Sequence, residues 1–106
     1  MGLERMLEHL RGSCLGRGRA VKSTELEQTL RLSHAAVGQQ VNRLRRKGEP
    51  VCSGPEGYFY AANAWEIYAT IQYLRQIVEG LEAAIAGLER ALEKFGEQTD
   101  GAGCRR

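Results

Sequence analysis

The stretch Ser33–Gly48, "SHAAVGQQVNRLRRKG", gives a helix only four residues that bury well: Ala36, Val37, Val41 and Leu44. Ser33 stands where an N-cap belongs, and Gly48 where a helix ends. Val37, Val41 and Leu44 fall at i, i+4 and i+7, so one stripe packs inward. At about 100° per residue, the opposite side carries Ala35, Gln39, Asn42, Arg43 and Arg46. Amides, small residues and bases on the outer side call for something that this side touches.

Upstream, Leu3, Met6, Leu7 and Leu10 recur at helical spacing, with Gly12 as the expected stop. "GSCLGRGR" (residues 12–19) reads as a flexible basic loop and Ala20-Val21-Lys22 as a short strand. A second helix follows, capped by Ser23 or Thr24, where Thr24 with Glu27 makes a capping box. It buries Leu26 and Leu30 and leaves Leu32 in the turn. Downstream, "EPVCSGPEGYFYAA" (residues 49–62) holds two short strand-like runs around Gly54-Pro55-Glu56-Gly57, a hairpin. Tyr58 and Tyr60 lie on one side of the second strand and Phe59 on the other, and the aromatics are expected mostly to pack on the core.

Helix, strand, helix, turn, helix, hairpin is the order of a winged helix-turn-helix. Residues 20–60 resemble the N-terminal winged-helix domain of the biotin operon repressor family. The resemblance rests on Ser33, Ala35, Ala36, Val37, Val41, Leu44 and Gly48, followed by Gly54 and Gly57-Tyr58 in the wing. Two residues separate those wing glycines where the family has one, and Arg31 stands where the family usually has a turn glycine. No ligase domain follows in this sequence, so the resemblance implies no biotin-related activity.

A helix-turn-helix lays its second helix in the major groove and reads base edges with the N-terminal half. His34, Ala35, Gly38 and Gln39 occupy that half; the small Ala35 and Gly38 let the backbone come close. Gln39 can pair with adenine, and Asn42 or Arg43 can reach a neighbouring base or phosphate. Arg45, Arg46 and Lys47 come late, where phosphate contact is expected, and Arg17, Arg19 and Lys22 are candidates to clamp the backbone from another side. Bases at a helix C-terminus also complement the helix dipole, by ~0.3–1 kcal/mol each, with no partner at all. The acidic Glu56 at the wing tip is poorly suited to phosphate, so the wing is expected to be short and structural.

The charge distribution agrees with a polyanion-facing half. Residues 17–47 hold eight bases against two acids, whereas residues 61–95 hold three bases against five acids, within a net charge of only +2.

Beyond the hairpin, Asn63 with Glu66 forms another N-cap signal. Ile71, Leu74, Val78, Leu81, Ile85, Leu88, Leu92 and Phe95 are spaced alternately three and four apart, a heptad seam. A helix from Ala64 to Phe95 is about 48 Å long at ~1.5 Å per residue. That is more than the preceding residues can cover, so much of the seam needs another chain. β-branched a positions with leucine at d favour a parallel pair. The g positions, Ile77, Ala84 and Ala91, carry no charge, which leaves antiparallel or four-helix pairing open.

The length of 106 residues suits one compact domain with an appendage. The expected organisation is a mainly α chain: residues 1–62 a winged helix-turn-helix of three helices and a β-hairpin, 63–95 one long oligomerisation helix, 96–106 a disordered tail. Cys14, Cys52 and Cys104 are odd in number and far apart, with no Cys-x-x-Cys pair and no histidine close by in sequence. No metal site or cofactor is implied, and reduced thiols are the simpler reading. No membrane span, signal peptide or myristoylation motif opens the chain, so a cytoplasmic, nucleoid-associated protein is expected. No phosphate loop, carboxylate pair or nucleophile–histidine–acid set marks an enzyme, and no catalytic residue is assigned. The expected function is a sequence-specific double-stranded DNA-binding transcriptional regulator, bacterial or phage-borne, acting as a homodimer or tetramer. The alternative is a protein-interaction adaptor in a replication, recombination or polymerase complex, docking through the winged helix and coiled coil.

Overall fold

The computed structural model describes residues 2–98 and is mainly helical. Three short helices come first: α1 (Gly2–Ser13), α2 (Ser23–Leu30) and α3 (His34–Arg46). Two strands, β1 (Val51–Gly54) and β2 (Gly57–Tyr60), pair antiparallel, and a long helix, α4 (Ala64–Gln98), completes the chain. Packing divides the molecule into a unit ending at Tyr73 and a second unit starting at Leu74.

The first unit is built on one core. Met6 and Leu10 from α1, Leu26 and Leu30 from α2, and Val37, Val41 and Leu44 from α3 meet Val51, Cys52 and Phe59 of the hairpin. The helical spacing of the apolar residues therefore does its expected work in all three helices. Cys14 and Cys52 are also buried in this core as free thiols, small apolar side chains in effect. Burial pushes both thiols above their ordinary pKa, with the Glu25 charge adding to the effect at Cys14.

Local chemistry accounts for the helix ends. Ser33 caps α3, its Oγ accepting from the Ala36 N–H at 3.1 Å. At the other end Gly48 takes φ 92°, and the Gly48 and Glu49 N–H groups bond back to Arg45 and Leu44 carbonyls. α1 runs one residue past Gly12, to Ser13.

α2 departs from its expected cap. The N-cap is Lys22, with no side-chain cap bond; Ser23 is already helical and its Oγ donates to Glu27 Oε2 at 3.0 Å, while Thr24 is exposed. The cause lies outside the helix. Val21 exchanges backbone hydrogen bonds with Tyr58 (2.9 and 2.8 Å), which holds the chain extended as far as Lys22. The expected strand at residues 20–22 thus shrinks to one bridge, and Arg17–Arg19 form a single 3-10 turn rather than an open loop. α2 ends on Arg31, the one non-glycine residue with positive φ (56°) among the described residues. The turn is thus made by a left-handed arginine.

The hairpin register pairs Val51 with Tyr60, Cys52 with Phe59, Ser53 with Tyr58 and Gly54 with Gly57. Phe59 enters the core, whereas Tyr58 and Tyr60 pack against it half-buried. Both sheet edges are covered, which removes the usual hazard of an open strand. Along β2, Val21 and the Cys14–Gly16 backbone supply the partners. Along β1, Arg45 donates from Nε to the Val51 carbonyl (2.8 Å) and from Nη2 to Ser53 Oγ (2.9 Å). Gly57 cannot be replaced by a larger residue without a shift, because a Cβ there would collide with the Val21 carbonyl and φ is 124°.

α4 begins on Asn63, whose Oδ1 accepts from the Glu66 N–H at 3.1 Å. Glu66 in turn accepts from the Ala62 N–H (2.8 Å) and the Arg17 N–H (3.0 Å), joining three segments. Those two donors hold the Glu66 carboxyl below its ordinary pKa. One turn later Thr70, 6% exposed, accepts from the Ser53 N–H at 3.3 Å. These contacts carry the compact unit past residue 62, the boundary expected from sequence. α4 also continues through Gly96 to Gln98; the rest of the tail expected to be disordered lies outside the described residues. In the second unit the helix is amphipathic and exposes its seam, from Val78 to Phe95. Among the described residues no helix is long and apolar enough to cross a membrane.

Candidate functional site

The outer face of α3 follows from which residues its inner face uses up. Val37, Val41 and Leu44 are at most 2% exposed, which turns Ala35, Gln39, Asn42, Arg43 and Arg46 to solvent. Gly38 is half-exposed, and Lys47, the C-cap, is exposed. Among the described residues the one ion-pair contact is His34–Glu27, so Arg43, Arg46 and Lys47 have no acidic partner within salt-bridge distance. These groups form a polar, cationic surface.

Three residues that the sequence offers as DNA contacts, His34, Lys22 and Arg45, are otherwise engaged. His34 is exposed, but its Nδ1 lies 2.9 Å from Glu27 Oε2 and 3.4 Å from Ser23 Oγ. The hydrogen bonds from His34 and Ser23 hold the Glu27 carboxyl below its ordinary range. The imidazole is thereby tied to α2 rather than swinging freely at the helix start. Lys22 donates from Nζ to the Pro55 carbonyl at 2.9 Å, which ties it to the hairpin turn. Arg45, expected to meet phosphate, is half-buried and serves as the edge partner of β1. The reason is steric order: Val51 follows Arg45 by only six residues, and the reversal at Gly48 returns the strand alongside the end of α3.

Arg17 and Arg19 lie exposed on the 3-10 turn between α1 and α2. The Arg17 backbone is fixed by Glu66, and no hydrogen bond or ion pair joins either side chain to α3.

Two features of the surface escaped the sequence reading. Gln40, three residues after Val37 and four before Leu44, sits at the edge of the inner face with its Oε1 shielded and without a hydrogen-bond partner among the described residues. It lines a groove of about 470 Å³ between α1 and α3, with Leu3 and Leu7 on one wall and Arg43 and Lys47 on the other. The signal was its place beside the buried stripe, which the neighbouring Gln39 obscured. The other feature is Trp65, 79% exposed, in T-shaped contact with Tyr68 (centroids 6.4 Å apart, planes at 88°).

The heptad residues of α4 are placed as a second surface. Ile71, Val78, Leu81, Ile85, Leu88, Leu92 and Phe95 are 41–71% exposed, and Leu74 is half-buried. Neither family models, curated protein sequences nor solved structures match this chain.

Proposed function

We propose that the first unit is a winged helix-turn-helix that binds double-stranded DNA, and that α4 joins copies of the chain, making a homo-oligomeric transcriptional regulator. The observation that carries the reading is the division of α3: an apolar stripe sealed in the core, and a solvent face holding Gln39, Asn42, Arg43, Arg46 and Lys47 without acidic partners among the described residues. In this reading α3 enters the major groove and the β1–β2 hairpin is the wing. Ala35 and Gly38 admit the groove edge, Gln39 reads a base, Asn42 and Arg43 contact base or backbone, and Arg46 and Lys47 contact phosphate. His34, held by Glu27, orients the helix start rather than reading sequence. Arg17 and Arg19 add positive charge along the backbone, and Lys22 braces the wing. Two-fold pairing through the α4 seam then calls for an inverted repeat.

The test is titration of the full chain onto random and selected duplexes at two salt concentrations. Binding should weaken steeply with salt, with a log–log slope of roughly 0.9 per phosphate contacted. Arg46→Ala should reduce that slope by about one contact, and Gln39→Ala with Arg43→Ala should abolish preference for the selected site. No binding at low salt, or binding indifferent to those substitutions, refutes the reading. The exposed acid Glu56 at the hairpin tip and the tethered Lys22 favour the second reading, a docking module for a protein complex, which a failure to bind DNA would leave standing.

A further inference from the structure

We infer that the α4 seam is covered by the same seam of a second copy running antiparallel, with the two-fold axis beside residue 83. The inference rests on the self-association in the reading above and adds its direction and register.

Seven exposed apolar side chains on one stripe, 41–71% accessible, together present on the order of 700 Å² per copy, close to what each partner of a standard-size interface buries. The residues flanking the stripe decide the direction. On one flank stand Arg75, Glu82 and Glu89; on the other stand Ile77, Ala84 and Ala91. Parallel pairing sets each flank against the opposite flank of the second copy. Ile77 and Ala84 would then face Glu82 and Glu89, and no pair of opposite charges would form.

Antiparallel pairing sets each flank against itself. Arg75 then meets Glu89 of the second copy, twice by symmetry, and the single like-charge contact is Glu82 with its own copy at the axis. The other flank places Ile77 against Ala91 and Ala84 against Ala84, small residues that let the backbones approach. The register is the one that pairs the whole seam as far as Phe95, and its start is marked by Thr70. Its side chain is buried and bonded to Ser53 of its own hairpin, so the pairing starts at Ile71. Ile71 then layers on Phe95, Leu74 on Leu92, Val78 on Leu88 and Leu81 on Ile85, which places the axis at residue 83. The two copies of Ile71 stand about 36 Å apart along the axis.

Spin labels on single cysteines test this in the full chain carrying Cys104→Ser; Cys14 and Cys52 are at most 1% exposed and stay in place. The sites are Gln72→Cys, Ala83→Cys and Lys94→Cys, all on exposed positions away from the seam. The inference expects the shortest interlabel distance at 83. Labels at 72 and at 94 should each be offset by roughly 33 Å along the axis, so both distances exceed that at 83 by more than ~10 Å. Three similar distances would mean parallel pairing and overturn the inference while leaving self-association intact. A shortest distance at 72 or 94 would overturn the register. No dipolar coupling at any site, with a monomer in sedimentation, would overturn the inference and the self-association together, and the DNA titration would still stand on its own.

Discussion

Arg45 and Arg46 are neighbours in a basic run, yet Arg45 bonds to β1 while Arg46 faces solvent, and substitution separates the two. Arg45 is half-buried and makes two hydrogen bonds to β1, at 2.8 and 2.9 Å, across an edge with no neighbouring strand. A hydrogen bond from a charged group contributes about 1.5–3 kcal/mol when its acceptor is otherwise left dry. Discounting for partial exposure, Arg45→Ala should cost ~2 kcal/mol, part of it from lost packing of the side-chain stem. For a domain this small, that lowers the thermal midpoint by roughly 8–15 °C. Arg46→Ala, on the solvent face, should stay within about 0.5 kcal/mol of the parent. The assay is urea unfolding followed by far-UV circular dichroism, supported by a thermal scan. Arg45→Lys should recover only part of the loss, since one ammonium cannot span both acceptors in the guanidinium geometry. If Arg45→Ala and Arg46→Ala were equally mild, the edge role of Arg45 would be wrong.

Arg31→Gly should stabilise the first unit by about 0.5–1 kcal/mol, because φ is 56° there and glycine adopts that region without strain; a loss of stability in urea would mean the side chain contributes more than the strain costs. The carboxyls of Glu27 and Glu66 sit below their ordinary pKa, so each contributes stability that is complete above the usual carboxylate range and disappears as pH falls through the depressed value. The urea midpoint should therefore hold between neutrality and about pH 5 and drop below about pH 4, and Glu66→Gln should flatten part of that drop. A midpoint that rises on acidification would contradict the hydrogen bonds that join Glu66 to Ala62 and Arg17.

Much of this molecule is written in short-range pattern. The stripes at Met6–Leu10 and Val37–Val41–Leu44, the Ser33 and Asn63 caps, the Gly54–Gly57 turn and the heptads of α4 each depend on residues within a turn or two of one another. Backbone geometry alone relates such neighbours, so a sequence reader can see them. The outer face of α3 was legible for the same reason: it is what the buried stripe leaves over.

The rest depended on partners distant along the chain. Val21 meets Tyr58, and that bridge moves the start of α2; Glu66 reaches back to Arg17; Thr70 binds Ser53 and carries the first unit past residue 62. Which bases stay available was settled the same way, since Arg45 closes the sheet edge, Lys22 the hairpin turn and His34 the α2–α3 junction. A cationic side chain reads identically in sequence whether it faces solvent or a carbonyl. Only the folded chain brings the carbonyl to it, because that meeting is fixed by the long-range closure of the core and not by any local rule.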